Sequence, residues 1–202
     1  QYPIKASLVS GLFKEVMVST DDKEIAELAV SSGASVPFMR SVKTSNDFAT
    51  TEEVIEEVLQ EYARRGEEFD YLCCLYPTAV FVTPSLLKKA AFLLRETEAD
   101  SVIPVVRFSY PIQRALKVDD GRLSMICPEN IKVRSQDLMS TFHDCGQFYF
   151  MRSNSFFKQK GFLAGNCVPL EISEMETQDI DNLVDWKLAE LKDRLLNYEI
   201  SR

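Results

Sequence analysis

The chain has 202 residues; 23 Lys plus Arg against 31 Asp plus Glu give a net charge of −8, and 46% of the residues are hydrophobic. That length and apolar fraction suit one folded domain with a sizeable core and exclude a chain disordered throughout. The acidic balance argues against a nucleic-acid surface, which needs clustered Lys and Arg, but leaves room for a local basic pocket.

The longest apolar runs, such as residues 71–76, fall far short of the roughly 20 residues a spanning helix needs. No secretory signal is visible, and the chain opens at Gln1. The five cysteines, Cys73, Cys74, Cys127, Cys145 and Cys167, include no C-x-x-C pair. They read as small buried hydrophobes in a reducing cytoplasm rather than as a zinc site.

Residues 15–19 (EVMVS) predict a short strand, followed by a helix capped at Asp21 with Glu24 three residues on. That helix carries Ile25, Leu28 and Ala29 on one face and runs to Gly33, and residues 35–40 predict a second strand. Thr50-x-x-Glu53 is a capping box for a helix to Arg65, with Val54, Ile55, Val58, Leu59 and Tyr62 along one stripe. Residues 70–75 (DYLCCL) read as a central strand covered on both faces. Thr83-Pro84 starts a helix to about Thr97, and residues 100–106 form another strand, in which Pro104 predicts an edge or a bulge. Strand and helix alternate through this half, the pattern of βαβ units.

After Arg107 the pattern changes. Residues 115–118 and 123–126 flank Asp119-Asp120-Gly121-Arg122, a hairpin turn. Residues 127–144 are polar and turn-rich, 146–151 form an aromatic strand, 168–172 a late strand and 182–197 a terminal helix. The expected fold is α/β: a three-layer αβα domain around a mostly parallel, doubly wound sheet. Residues 1–202 form one domain, with the middle section as an insertion.

Three segments can carry chemistry. In Gln178-Asp179-Ile180-Asp181 the two carboxylates share a side when the backbone is extended, and their repulsion is relieved by a divalent cation. D-x-D is also short and common, and Asp181 can equally be an N-cap. Arg134-Ser135-Gln136-Asp137 precedes residues 143–149 (HDCGQFY). Arg134 can clamp a carboxylate or phosphate, Gln136, Asp137, Gln147 and Tyr149 suit sugar hydroxyls, and His143, the only histidine, reads as a hydrogen-bonding or packing residue. The whole segment can instead be a polar loop beside a core strand. Finally, Thr78, the Ser19–Asp22 stretch and Arg40 each follow a strand, where open α/β sheets bind ligands. Thr78 and its Pro77 neighbour can also merely turn the chain, and Arg40 can be a solvated charge.

Order and spacing are more specific than any one motif. Residues 2–13 (YPIKASLVSGLF), 16–22 (VMVSTDD), 40–51 (RSVKTSNDFATT), 75–79 (LYPTA), 134–138 (RSQDL), 143–150 (HDCGQFYF) and 178–181 (QDID) together resemble the acylneuraminate cytidylyltransferase family, in particular its pseudaminic acid branch. The resemblance runs from Tyr2 to about Leu195. It implies a nucleotide-diphospho-sugar transferase fold and transfer of CMP from CTP to a nine-carbon keto sugar acid with release of pyrophosphate. Small molecules, not nucleic acid or membrane, are the implied partners. Asp179 and Asp181 would be catalytic and hold Mg²⁺ or another divalent metal. Arg40, Thr51, Ser19, Asp21 and Thr78 would lie along the nucleotide. Arg134, Gln136, Asp137, His143, Gln147 and Tyr149 would lie along the sugar acid. The family also implies a cytoplasmic homodimer paired through residues 109–144.

Sialic acid enzymes usually have Gln at Tyr76 and Asn-Gly around residues 143–146; both departures follow the pseudaminate pattern and bear on the sugar used. The family also begins with a strand and an A-R-x-G-S-K-R loop that holds the triphosphate. No such segment occurs here, and in the family's order Gln1 falls in the helix that follows it. The expectation is that the sequence omits this segment; a truncated domain that binds sugar acid or assembles without catalysis is the alternative. A transferase for an eight-carbon keto-deoxy sugar acid is a weaker match, because of residues 134–138 and 143–150.

Overall fold

Residues 1–163 and 165–200 are described by a computed structural model. Residues 164, 201 and 202 of the expected domain lie outside the description. The α-helices are α1 (Tyr2–Ser10), α2 (Lys23–Ser31), α3 (Thr51–Arg64), α4 (Pro84–Glu96), α5 (Ser153–Gln159) and α6 (Leu183–Ile200). The strands are β1 (Tyr71–Leu75), β2 (Ser101–Arg107), β3 (Leu116–Asp119), β4 (Arg122–Met125), β5 (Phe142–Asp144), β6 (Phe148–Arg152) and β7 (Cys167–Glu171).

Helix starts follow the capping chemistry. Thr50 and Glu53 close a complete capping box on α3, and Thr83 Oγ1 accepts from Leu86 N at the start of α4. On α2 the cap is Asp22 rather than Asp21: Asp22 Oδ1 accepts from Ile25 N at 3.0 Å. Asp22 N in turn donates to the buried Thr20 hydroxyl, which fixes Asp22 as the last extended residue. The strands expected at 15–19 and 35–40 reduce to one parallel bridge, Met17 to Ser35. Helix α5 and strand β5, both short, were not expected.

The alternation of β1, α4 and β2 gives the expected crossover, and β1, β2 and β7 run in one direction. The expected mostly parallel pairing needs amending. β6 lies between β1 and β2 and is antiparallel to both, so the sheet is mixed, ordered β1-β6-β2-β5 with β7 along the other edge of β2. β2·β7 is its one parallel ladder. Sequence alternation marks a crossover but does not say which later strand enters the gap it leaves. β1 is therefore paired only with β6 and ends the path, not central as expected. β3 and β4 form a separate hairpin, turning at Asp120 (φ 45°) and Gly121 (φ 71°) as the Asp-Gly pair predicts.

The two faces of the sheet carry different layers. Phe148 and Phe150 of β6 join Val102, Leu87 and Leu94 under α4 and α1, whereas Tyr149 and Met151 face Ile55 of α3 and Phe156 of α5. This is the two-residue alternation of a strand buried on both sides, and it gives the expected three layers.

Pro104 sits inside β2, nearly free of solvent exposure. A proline there lacks the donor a ladder needs. The ladder has a gap at that place: β6 pairs with Ser101 and Val102, β5 with Val105 to Arg107, and Pro104 falls between. The partner strand bulges across the gap through Cys145, Gly146 and Gln147, and the Cys145 thiol donates to Pro104 O at 3.2 Å. The expected bulge is present, on the neighbouring strand.

Candidate active site

The bulge builds one side of the site. Gly146 has φ of 61°, a conformation that favours glycine. Its N–H donates to Asp144 Oδ1 at 2.8 Å. Two struts tie the bulge to the segment after β7: Thr177 Oγ1 donates to Cys145 O at 3.3 Å, and Gln147 Nε2 donates to Glu176 O at 2.6 Å. Ser173 and Glu176 form a capping box on the intervening 3₁₀ turn and hold it in place. The segment thus delivers Asp179 to the bulge, its Oδ1 lying 3.8 Å from where a Cβ on Gly146 would stand.

Asp179 and Asp181 are both exposed, and neither carboxylate has a hydrogen bond or ion pair among the described residues. Capping does not consume Asp181. Asn182 Oδ1 accepts from Val184 N and Asp185 N, while Asp185 Oδ2 accepts from Asp181 N and Asn182 N. Two free carboxylates fit a hard cation that completes its shell with water and substrate phosphate. Among the described residues no group of three or more His, Cys, Asp or Glu gathers to form an all-protein cage.

A cavity of about 770 Å³ opens between β1 and residues 16–20; its lining is mostly apolar, with Val54, Val58 and Leu59 of α3 and Leu72 of β1, and its charged side chains are Glu15, Asp21 and Arg40. Arg40 Nε donates to Ser19 Oγ at 3.0 Å, a second guanidinium nitrogen donates to Ser19 O, and Arg40 N donates to Thr20 O. Arg40 is thus fixed across the end of the 16–20 segment. The loop behind it is clamped by Glu57 of α3, which accepts from Ser41 N at 2.8 Å, Ser41 Oγ at 2.6 Å and the buried Thr44 hydroxyl. Thr78, by contrast, lies in the turn after β1 and lines neither this cavity nor the next.

A second cavity, of about 540 Å³, shares Thr51 and Tyr76 with the first. Thr51 Oγ1 and the Tyr76 hydroxyl are 3.1 Å apart, and Tyr76 meets Tyr149 edge to face at 5.6 Å between centroids. The Tyr149 hydroxyl donates to Asp144 Oδ2. Burial first, then the Asp144 carboxylate, push the Tyr149 phenol far above its usual range, so it stays a donor at any working pH. Asp144 and the cavity-lining Lys160 were both missed in the sequence. Asp144 lies within the aromatic-strand motif, whereas the position of Lys160 depends on an unforeseen helix end.

The remaining expected sugar-site residues are placed apart from this cavity. Arg134 is in a two-point ion pair with Asp137 at 2.8 and 3.2 Å, and Gln136 is exposed on the same 3₁₀ turn in the inserted segment. His143 Nδ1 lies 2.8 Å from Asp144 O, its ring 4.8 Å from that of Phe108. Gln147 is 2% exposed and serves as the strut to Glu176, with no partner for its Oε1 among the described residues.

A sequence profile of the family described as Cytidylyltransferase matches residues 1–190. Pseudaminic acid cytidylyltransferase of Campylobacter jejuni is 31% identical over 191 residues, covering 94% of this chain and 82% of that protein. CMP-N,N'-diacetyllegionaminic acid synthase of Legionella pneumophila is 29% identical, with the same 94% and 82% coverage. Among solved structures, a CMP:2-keto-3-deoxy-manno-octonic acid synthetase complexed with CTP superposes with a TM-score of 0.65 at 14% identity, over 98% of this chain and 87% of that chain. At that identity the superposition shows the fold.

The Glu57 clamp has a pH signature. Burial raises its pKa, but hydrogen bonds from Ser41 and Thr44 and the charge of Arg40 outweigh burial and bring it below the ordinary 4.5. A lowered folded value means the clamp stabilises fully above the unfolded pKa and is lost as pH falls through the folded one. Glu57→Gln is expected to cost about 1–2 kcal/mol at neutral pH, an ordinary range for hydrogen bonds to a charged group. In urea titrations the gap from wild type should close as the pH falls below the ordinary carboxyl value of 4.5 and through the lowered folded one; a gap independent of pH contradicts the clamp.

Proposed function

The chain belongs to the cytidylyltransferase family, and on that premise we propose that it transfers CMP from CTP to the anomeric hydroxyl of a nine-carbon keto sugar acid of the pseudaminic or sialic type. The sugar hydroxyl attacks the α-phosphorus, a P–O bond forms, and the bond to the β-phosphate oxygen breaks to release pyrophosphate. The observation that carries this is the pair of unengaged carboxylates, Asp179 beside the bulge and Asp181 two residues on, together with the two cavities that share Thr51 and Tyr76.

Catalysis of phosphoryl transfer is positioning and charge neutralisation rather than covalent work by the protein. Arg40, Ser19, Asp21 and Thr51 line the cavity to which this reading assigns the nucleotide, where the Arg40 guanidinium would neutralise phosphate charge. Tyr149 and Asp144 line the cavity assigned to the sugar acid. Asp179 and Asp181 would hold Mg²⁺ or another divalent ion, which would neutralise phosphate charge and acidify the attacking hydroxyl. Among the described residues no helix is long and apolar enough to cross a membrane; a cytoplasmic location is part of the same proposal.

The inserted hairpin supports a homodimer. Val118 and Leu123 are cross-strand partners, 72% and 69% exposed, on a two-stranded sheet that would be marginal alone. A second copy of this surface would bury them about a twofold axis. Arg134, Gln136 and Asp137 lie in the same inserted segment, where a partner subunit's site could use them.

Two measurements test this. Pyrophosphate release is followed with CTP, Mg²⁺ and either pseudaminic or N-acetylneuraminic acid. Wild type should turn over with one of them, and Asp179→Ala/Asp181→Ala should lose about a hundredfold or more. No release with either sugar acid would favour the non-catalytic binding domain. Light scattering should give twice the 23.0 kDa chain mass, and Val118→Asp/Leu123→Asp should give monomers; a monomeric wild type sinks the dimer.

A further inference from the structure

Lys160 has a backbone that few non-glycine residues adopt, with φ of 52° and ψ of 43° at the end of α5. Such a conformation is strained for a residue with a Cβ and persists where the surroundings over-determine it. Here they do. Lys160 N donates to Phe156 O at 2.8 Å. Asp100 gathers both ends of the turn, accepting from Ser155 Oγ, Gln159 Nε2 and Asn166 N. Phe162 is buried and stacks on Tyr149 at 4.2 Å. The turn is anchored to the cavity floor by that stack and to the sheet by Asp100.

This frame places Lys160 on the rim of the 540 Å³ cavity, where it is the one cation among the lining residues. Its ammonium has no acidic partner within ion-pair distance among the described residues. The other charged lining groups are two carboxylates, Glu52 and Asp144. Within this lining Lys160 is the group that can pair with an anionic substituent, while Glu52 and Asp144 are acceptors for hydroxyl or amide donors. Asp144 is oriented for donors, since Tyr149 and Gly146 N fix its two oxygens and leave further lone pairs free. Arg134, the cation that sequence alone nominates for a carboxylate, is already paired with Asp137.

We infer that Lys160 is the substrate-selecting residue that binds the carboxylate of the sugar acid, in the cavity that Asp144 also lines. The assignment rests on the sugar-acid reading of this cavity. A charge-assisted contact of this kind is worth a factor of about ten to a hundred in affinity.

The test measures the KM of each substrate for wild type, Lys160→Gln and Lys160→Arg, with the sugar acid and with its methyl ester. Lys160→Gln should raise the KM of the sugar acid about tenfold or more, leave that of CTP within about twofold, and recover in part in Lys160→Arg. Esterification should penalise wild type strongly and Lys160→Gln little, because the lost partner makes the two changes non-additive. Equal ester penalties in both proteins, or an unchanged KM in Lys160→Gln, would overturn the assignment. Saturation-transfer NMR of N-acetylneuraminic acid without CTP separates the two readings. Binding that depends on Lys160 with no turnover supports the assignment and counts against the transferase; turnover with binding indifferent to Lys160 does the reverse.

Discussion

Strand β2 offers one edge to two partners. β6 takes its first residues and β5 its last, and Pro104 stands where neither pairs. A proline inside a sheet leaves a missing donor, and the molecule meets it with a bulge in the neighbouring strand. Three residues then leave the ladder, and their polar groups need partners. Cys145 O finds Thr177, Gly146 N finds Asp144, and the Gln147 amide finds Glu176 O. Each of these bonds pulls a functional element into place. Asp144 turns its second oxygen to Tyr149, and the segment carrying Thr177 brings Asp179 alongside Gly146.

From this one accommodation follows the division of the site. Thr51 and Tyr76 form a shared wall, with an acidic, hydroxyl-rich cavity on one side and the Arg40 cavity on the other. Arg40, locked onto Ser19, lines the larger space with Glu15 and Asp21, and Lys160 lines the smaller one with Glu52 and Asp144, so each side holds one cationic side chain. A transferase joining a nucleotide to an acidic sugar needs its two anionic substrates kept apart except at the reacting atoms. The carboxylates of Asp179 and Asp181 are left free because Asn182 and Asp185 supply the caps of the last helix.

Local chemistry was legible in the sequence wherever a short motif acts alone. The Thr50–Glu53 box, the Thr83-Pro84 start and the Asp120-Gly121 turn need no distant partner, and all three form as written. The aromatic run marked residues 146–151 as a strand, and the fold buries both of its faces. Its direction and place between β1 and β2 depend on long-range pairing, which leaves no mark in a single sequence. The Asp22 cap replaced Asp21 because a hydroxyl one residue earlier, Thr20, fixes the phase of the turn. In the site, Asp179, Arg40 and Tyr149 stand out by motif and order. Glu57, Asp144 and Lys160 do not, because their roles come from what folding brings beside them.

The most direct measurement is a crystal structure with CTP and Mn²⁺, using anomalous scattering to locate the metal. The account predicts an anomalous peak at the Asp179 and Asp181 carboxylates, with the CTP phosphates turned toward Arg40 and the Lys160 cavity free of phosphate. A peak elsewhere, or a triphosphate lying against Asp144 and Lys160, would contradict the division of the site on which the mechanism rests.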